Sequence, residues 1–79
     1  MDSPFGAYFR DLRERHSETQ NDAAKWLGVR LSELSAVEGG RSPLPGEWIP
    51  RIISHYSLNP KEADKLRKTA VSNSFFRNR

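Results

Sequence analysis

The stretch Thr19-Gln20-Asn21-Asp22-Ala23-Ala24-Lys25-Trp26-Leu27-Gly28-Val29-Arg30-Leu31-Ser32-Glu33-Leu34-Ser35-Ala36-Val37-Glu38-Gly39-Gly40-Arg41 reads as two short helices joined by a tight turn. Thr19 and Asp22 have the spacing of a capping box, the acid standing three positions after the hydroxyl. Ala23, Ala24 and Leu27 form a buried stripe, and Gly28 stands where a helix needs a left-handed residue to stop. Val29 and Arg30 alone separate that glycine from the next periodic segment, which Leu31, Leu34 and Val37 mark and which ends at Gly39-Gly40. So short a connection makes the two helices cross steeply. Small Ala23 and Ala24 allow the close approach this needs, and the second helix of the pair then protrudes.

Three more helical segments flank the pair, and no strand-like alternation intervenes. Upstream, Ser3-Pro4 supplies a cap and a proline at the first helical position, and Phe5, Phe9 and Leu12 share a face with Tyr8 beside them. That helix is predicted from about Pro4 to Arg15. Downstream, after Arg41 to Gly46, residues Ile49, Ile52, Ile53 and Tyr56 follow the i, i+3, i+4, i+7 rule, with Trp48 alongside. Pro50 is tolerated only in a first turn, so this helix is expected to start at Gly46 or Glu47, or to bend at Pro50. Asn59-Pro60-Lys61-Glu62 opens a fifth helix, predicted to reach about Val71 with Ala63, Leu66 and Ala70 inward. The expected organisation is a domain over 1–71 and a tail over 72–79 in which the helical pattern stops.

At 79 residues the chain buries only about 60% of its unfolded surface. With no cysteine, disulfides cannot reinforce so small a core, which points to self-association and suits a reducing cytosol. His16 and His55 are well separated and do not make a zinc site, and we read them as a helix-end and a helix-face residue. The sequence lacks a run apolar enough for a signal peptide or a membrane span. A formal net charge of +3 biases the surface mildly towards polyanions. Neither a nucleophile–base arrangement nor a phosphate-cradling glycine loop is visible, so no enzyme and no cofactor are expected.

Gln20 to Val29, followed by Leu34-Ser35-Ala36-Val37-Glu38-Gly39-Gly40-Arg41, resembles the lambda-repressor/Cro-type helix-turn-helix family, also called the XRE family. The resemblance covers roughly Phe5 to Leu58. It implies an all-α, five-helix lambda-repressor-like bundle with a central helix-turn-helix. It also implies that Gln20 binds phosphate or assists a base contact, that Arg41 contacts phosphate and that Arg13 pairs with Glu38; a buried bidentate pair would fix the first helix against the end of the third. Thr19 and Gly40 join the phosphate candidates, since helix N-termini and exposed glycine N–H groups suit an anion. Two departures stand out. Arg30 replaces the usual Ser or Thr cap, at a cost of about 1 kcal/mol unless Ser32 or water substitutes. Leu31, Ser32, Glu33 and Ala36 occupy places where the family often carries Gln, Asn or Arg.

In such a family the first turn of the second helix faces the bases, so Arg30, Leu31, Ser32, Glu33 and Ala36 are the reading candidates. Leu31 and Ala36 suit thymine methyls, Glu33 suits cytosine N4, Ser32 suits any base, and Arg30 suits a guanine edge or a phosphate. Glu33 either pairs with Arg30 or reads a base. Trp26, on the outer side of its helix beside Lys25, is read as a packing or interface residue. Leu66, Phe75 and Phe76 are the candidate dimer contacts. The resulting expectation is a cytoplasmic, phage-type or antitoxin-like regulator of transcription. It would bind double-stranded DNA as a homodimer over a near-palindromic operator, as a repressor that occludes a promoter or an activator that contacts polymerase, with a toxin or RNA polymerase as further partners. The other reading is a protein-interaction module that keeps the scaffold without reading DNA.

Overall fold

In a computed structural model, which describes the backbone of residues 3–77 and the side chains of residues 3–71, the chain forms five helices. They are α1 (Pro4–Arg15), α2 (Gln20–Leu27), α3 (Leu31–Glu38), α4 (Trp48–Tyr56) and α5 (Pro60–Arg77). The all-α five-helix architecture is as expected, and most boundaries follow from local chemistry.

Ser3 Oγ accepts from the Gly6 amide at 3.0 Å and Pro4 takes the first helical position of α1. The α2 capping box is complete: Thr19 Oγ1 accepts from Asp22 N at 3.1 Å, and Asp22 Oδ2 accepts from Thr19 N at 3.0 Å. Gly28 closes α2 at φ 75°, a left-handed conformation in which a Cβ would be strained. Arg30 caps α3 with no side-chain hydrogen bond, so the missing cap is real and Ser32 does not replace it. The α4 helix begins at Trp48, which places Pro50 inside the first turn, where its absent N–H leaves no intrahelical bond unmade.

Two boundaries show more than the sequence pattern does. Ser57 ends α4 at φ 53°, a conformation costly for a residue with a Cβ. Ser57→Gly is therefore expected to stabilise the domain by about 0.5–1 kcal/mol, relief of that cost exceeding the extra chain entropy of glycine. A thermal melt showing no rise would contradict it. The second is α5, which continues past the predicted end at Val71 to Arg77. The apolar periodicity fades there, but no glycine or proline interrupts the backbone ladder.

The core gathers Phe5, Phe9, Leu12, Ala23, Ala24, Leu27, Leu34, Val37, Trp48, Ile49, Ile52, Tyr56 and Leu66. Phe5 and Phe9 stack with ring centroids 5.3 Å apart, and Trp48 tilts against Phe5. Along its other side α1 lies on α5, where Tyr8 donates to the Glu62 carbonyl at 3.2 Å and Arg15 pairs with Glu62. Leu66 corrects one expectation. It is fully buried within the single chain, so its side chain fills the core and offers a partner no surface. The side chains of Phe75 and Phe76 lie outside the described residues.

Candidate nucleic-acid interface

The second helix of the pair is α3, and a set of contacts at its C-terminal end fixes it against α1. Leu34, Val37 and Glu38 are buried, while Arg30, Leu31, Ser32 and Glu33 are exposed and Ser35 and Ala36 are half-covered. Ser32 and Ala36 thus lie on the side away from the core, with Leu31 and Glu33 on its two flanks and Arg30 ahead of the first turn. Among the described residues no ion pair joins Arg30 to Glu33, which leaves the Glu33 carboxylate without a cationic partner.

Three interactions hold α3 against α1. The first is the ion pair implied by the resemblance, Arg13 Nη2 to Glu38 Oε1 at 3.2 Å, with both side chains buried. It runs through Nη2 and is not the fork through Nε and Nη2, because Arg13 Nε is buried without a hydrogen-bond partner. The guanidinium also lies over the Phe9 ring, 5.7 Å from its centroid. Second, Ser3 N and Ser3 Oγ both donate to the Glu38 carbonyl, at 2.9 and 3.0 Å. One serine therefore caps the start of α1 and satisfies the end of α3. Third, Gly6 lets the backbones touch: a Cβ there would stand 2.0 Å from the Glu38 carbonyl oxygen. The clue for Gly6 in the sequence is a glycine inside an amphipathic helix, which often marks close backbone approach.

The phosphate candidates separate on geometry. Gln20 turns inward, its Nε2 donating to Glu38 Oε1 at 3.0 Å, so its amide braces the ion pair. Thr19 is occupied with its capping box, and Asp22 brings a carboxylate to the same helix end. Its hydrogen bonds to the Thr19 backbone and hydroxyl hold that group below the ordinary carboxylate range. Gly40 is a correction. Its N–H, expected to be exposed, donates to the Val37 carbonyl at 3.1 Å, and those of Gly39 and Arg41 are likewise spent on Ser35 and Ala36. The last carbonyls of α3 claim these donors because they have no partner within the helix. Arg41 remains. Its side chain is exposed and its guanidinium lies over Gly39, Nη1 standing 3.2 Å from where a Cβ would be.

A second hub escaped the sequence reading because its members are scattered along the chain. Glu18, in the α1–α2 loop, accepts from Trp26 Nε1 at 3.2 Å and from the Tyr56 hydroxyl at 2.6 Å. Its other oxygen meets His55 Nε2 at 2.8 Å. Trp26 stacks on His55 with centroids 3.9 Å apart, and His16 stacks on Tyr56 at 4.6 Å. Both histidines thus belong to an aromatic network tying α1, α2 and α4, and Trp26 is a packing residue as expected. Burial pushes the Glu18 carboxyl up, but the hydrogen bonds from His55, Tyr56 and Trp26 outweigh it, and the group sits below its ordinary value. Burial followed by the Glu18 contact pushes the Tyr56 hydroxyl well above its ordinary value. For a carboxyl depressed in the folded state, stability is present above the unfolded pKa and is lost as pH falls through the folded one. Glu18→Gln is expected to melt lower at pH 7 and to lose less stability between pH 6 and 3 than the parent. Parallel pH profiles for the two proteins would contradict that.

The sequence matches the helix-turn-helix domain family over residues 4–66. The chain belongs to that family, and the helix pair read from the sequence as its motif corresponds to α2 and α3. Comparison with curated proteins and with solved structures gave no significant match. Among the described residues no helix is long and apolar enough to cross a membrane.

Proposed function

We propose that the protein is a sequence-specific regulator of transcription of the lambda-repressor/Cro type, reading double-stranded DNA with the exposed face of α3. The observation that carries this reading is the way α3 is held: its C-terminal end is locked to α1 by Ser3, Gly6, Arg13 and Glu38, while its first turn stands clear. A reading helix needs that combination, since base edges discriminate only when the side chains arrive in a fixed register. Arg41 anchors the backbone of the duplex, and Arg30 serves a phosphate or a guanine edge. Two copies related by a twofold axis would set their α3 helices in successive major grooves about 34 Å apart. The C-terminal segment with Phe75 and Phe76 is our candidate for joining them. Repression by occluding a promoter is the simplest outcome, in a phage-type or antitoxin-like setting, with a toxin or RNA polymerase as additional partner.

Selection from random duplexes, followed by fluorescence anisotropy on the enriched site at several salt concentrations, tests the proposal. Arg41→Ala is expected to weaken all sequences and to flatten the dependence of log K on log salt by about one unit. A selection that enriches nothing would favour the second reading, a protein-interaction module. The unpartnered carboxylate of Glu33 favours that alternative, because it opposes phosphate unless a cytosine or adenine amino group receives it.

A further inference from the structure

We propose that the operator is discriminated chiefly through the 5-methyl groups of thymine, met by Leu31 and Ala36, and not through bidentate hydrogen bonds to base edges. This rests on the DNA-binding reading above and names the chemistry that its target must present.

Residues on a helix advance by 3.6 per turn, so the inward positions define the outward ones. Leu34, Val37 and Glu38 point into the domain. The opposite arc of α3 is centred on Ser32 and Ala36, with Ser35 beside them, exposed Leu31 on one border and exposed Glu33 on the other. Apart from the Glu33 carboxylate, its chemistry is one isobutyl group, two hydroxymethyl groups and one methyl group. A hydroxyl donates to or accepts from any base and separates them poorly. Selective hydrogen bonding to purines uses the fork of an arginine or the paired donor and acceptor of an amide, and this arc contains neither. The charged neighbours Arg30 and Glu33 stand at its edges, Arg30 before the first helical residue. What the centre of the face can distinguish is the presence of an apolar group.

The exposure of Leu31 fits this. It is 42% exposed, and with Val71 it makes up the exposed large hydrophobic residues described in this chain. It occupies the first position of α3, in the turn that leads into a major groove. The short side chains of Ser32, Ser35 and Ala36 let the helix sit deep, which brings a leucine and an alanine methyl within reach of the groove floor. The thymine methyl is the apolar group that the major groove displays there.

The test replaces, one at a time, each thymine of the selected site by deoxyuridine, which keeps every hydrogen-bonding edge and removes only the methyl. At one or two positions in each half-site we expect an affinity loss of about fourfold per methyl, the value of one buried methylene-sized group. Leu31→Ala, checked for folding by its melt, is expected to bind thymine and uracil equally at the position Leu31 meets. Leu31→Gln is expected to shift selection there towards adenine, which an amide pairs with. Unchanged affinity after uracil substitution at every thymine would overturn the inference while leaving sequence-specific binding intact. A selection without an enriched site would overturn the DNA-binding reading and this inference with it.

Discussion

Gly6→Ala is expected to lower the melting temperature by roughly 12–24 °C, the equivalent of about 3 kcal/mol in a domain of this size. The sign makes this a sharp test. On an exposed helix face, alanine is better than glycine by about 1 kcal/mol, so a reading of α1 by propensity alone predicts stabilisation. The structure predicts the opposite, because the new Cβ would meet the Glu38 carbonyl oxygen at 2.0 Å and its carbon at 2.8 Å. Backbone cannot swing aside as a flexible side chain would. Either α1 moves away from α3, breaking the Ser3 contacts to Glu38, or the domain unfolds. Ala7→Gly, at an exposed site on the same helix, is the control and should cost about 1 kcal/mol. A Gly6→Ala protein melting at or above the parent temperature would remove the close approach from the account.

Glu38→Gln carries an effect at least as large, a loss of about 3–5 kcal/mol. Arg13 and Glu38 are 7% and 5% exposed, so removing one charge leaves the other desolvated without its counter-ion. The glutamine retains an oxygen for Gln20 Nε2, which restricts the change to the charge. Arg13→Met should cost a similar amount. The double variant should be markedly less destabilised than the sum, because neither buried ion remains. Additive losses would mean that the two side chains act through separate contacts. Denaturation midpoints at a common slope give all three values. Both variants should also weaken DNA binding, since Gly6 and the ion pair hold the same end of α3.

The caps of the first, second and fifth helices, the stop at Gly28 and most of the apolar positions were legible in the sequence because they are local. A capping box closes over three residues and an amphipathic stripe repeats every turn, so Thr19, Asp22, Asn59 and Glu62 declare themselves without tertiary information. So did the outward set on α3, which is what remains once Leu34 and Val37 are turned inward. The Arg13–Glu38 pair came from the family resemblance and was then found in place, though through one nitrogen. The end of α5 was not legible, because a helix outlasts its apolar stripe when nothing breaks the backbone.

Taken alone, then, the amino-acid sequence determined the helices, the motif made by the second and third, and the chemical character of the face that motif presents. Which donors are already spent was decided only by the tertiary structure. Gln20 has the composition of a phosphate ligand, yet Glu38 lies 3.0 Å from its amide, and the Gly40 N–H answers to Val37. Leu66 has the look of an interface residue until α5 folds against the core and covers it. Glu18, Trp26, His55 and Tyr56 form one hydrogen-bonded cluster although the chain scatters them over three segments. The physical reason is common to all four. Whether a group is available depends on what the fold packs against it, a partner within about 3 Å for a polar group, and that is set by how helices pack, which no local pattern encodes.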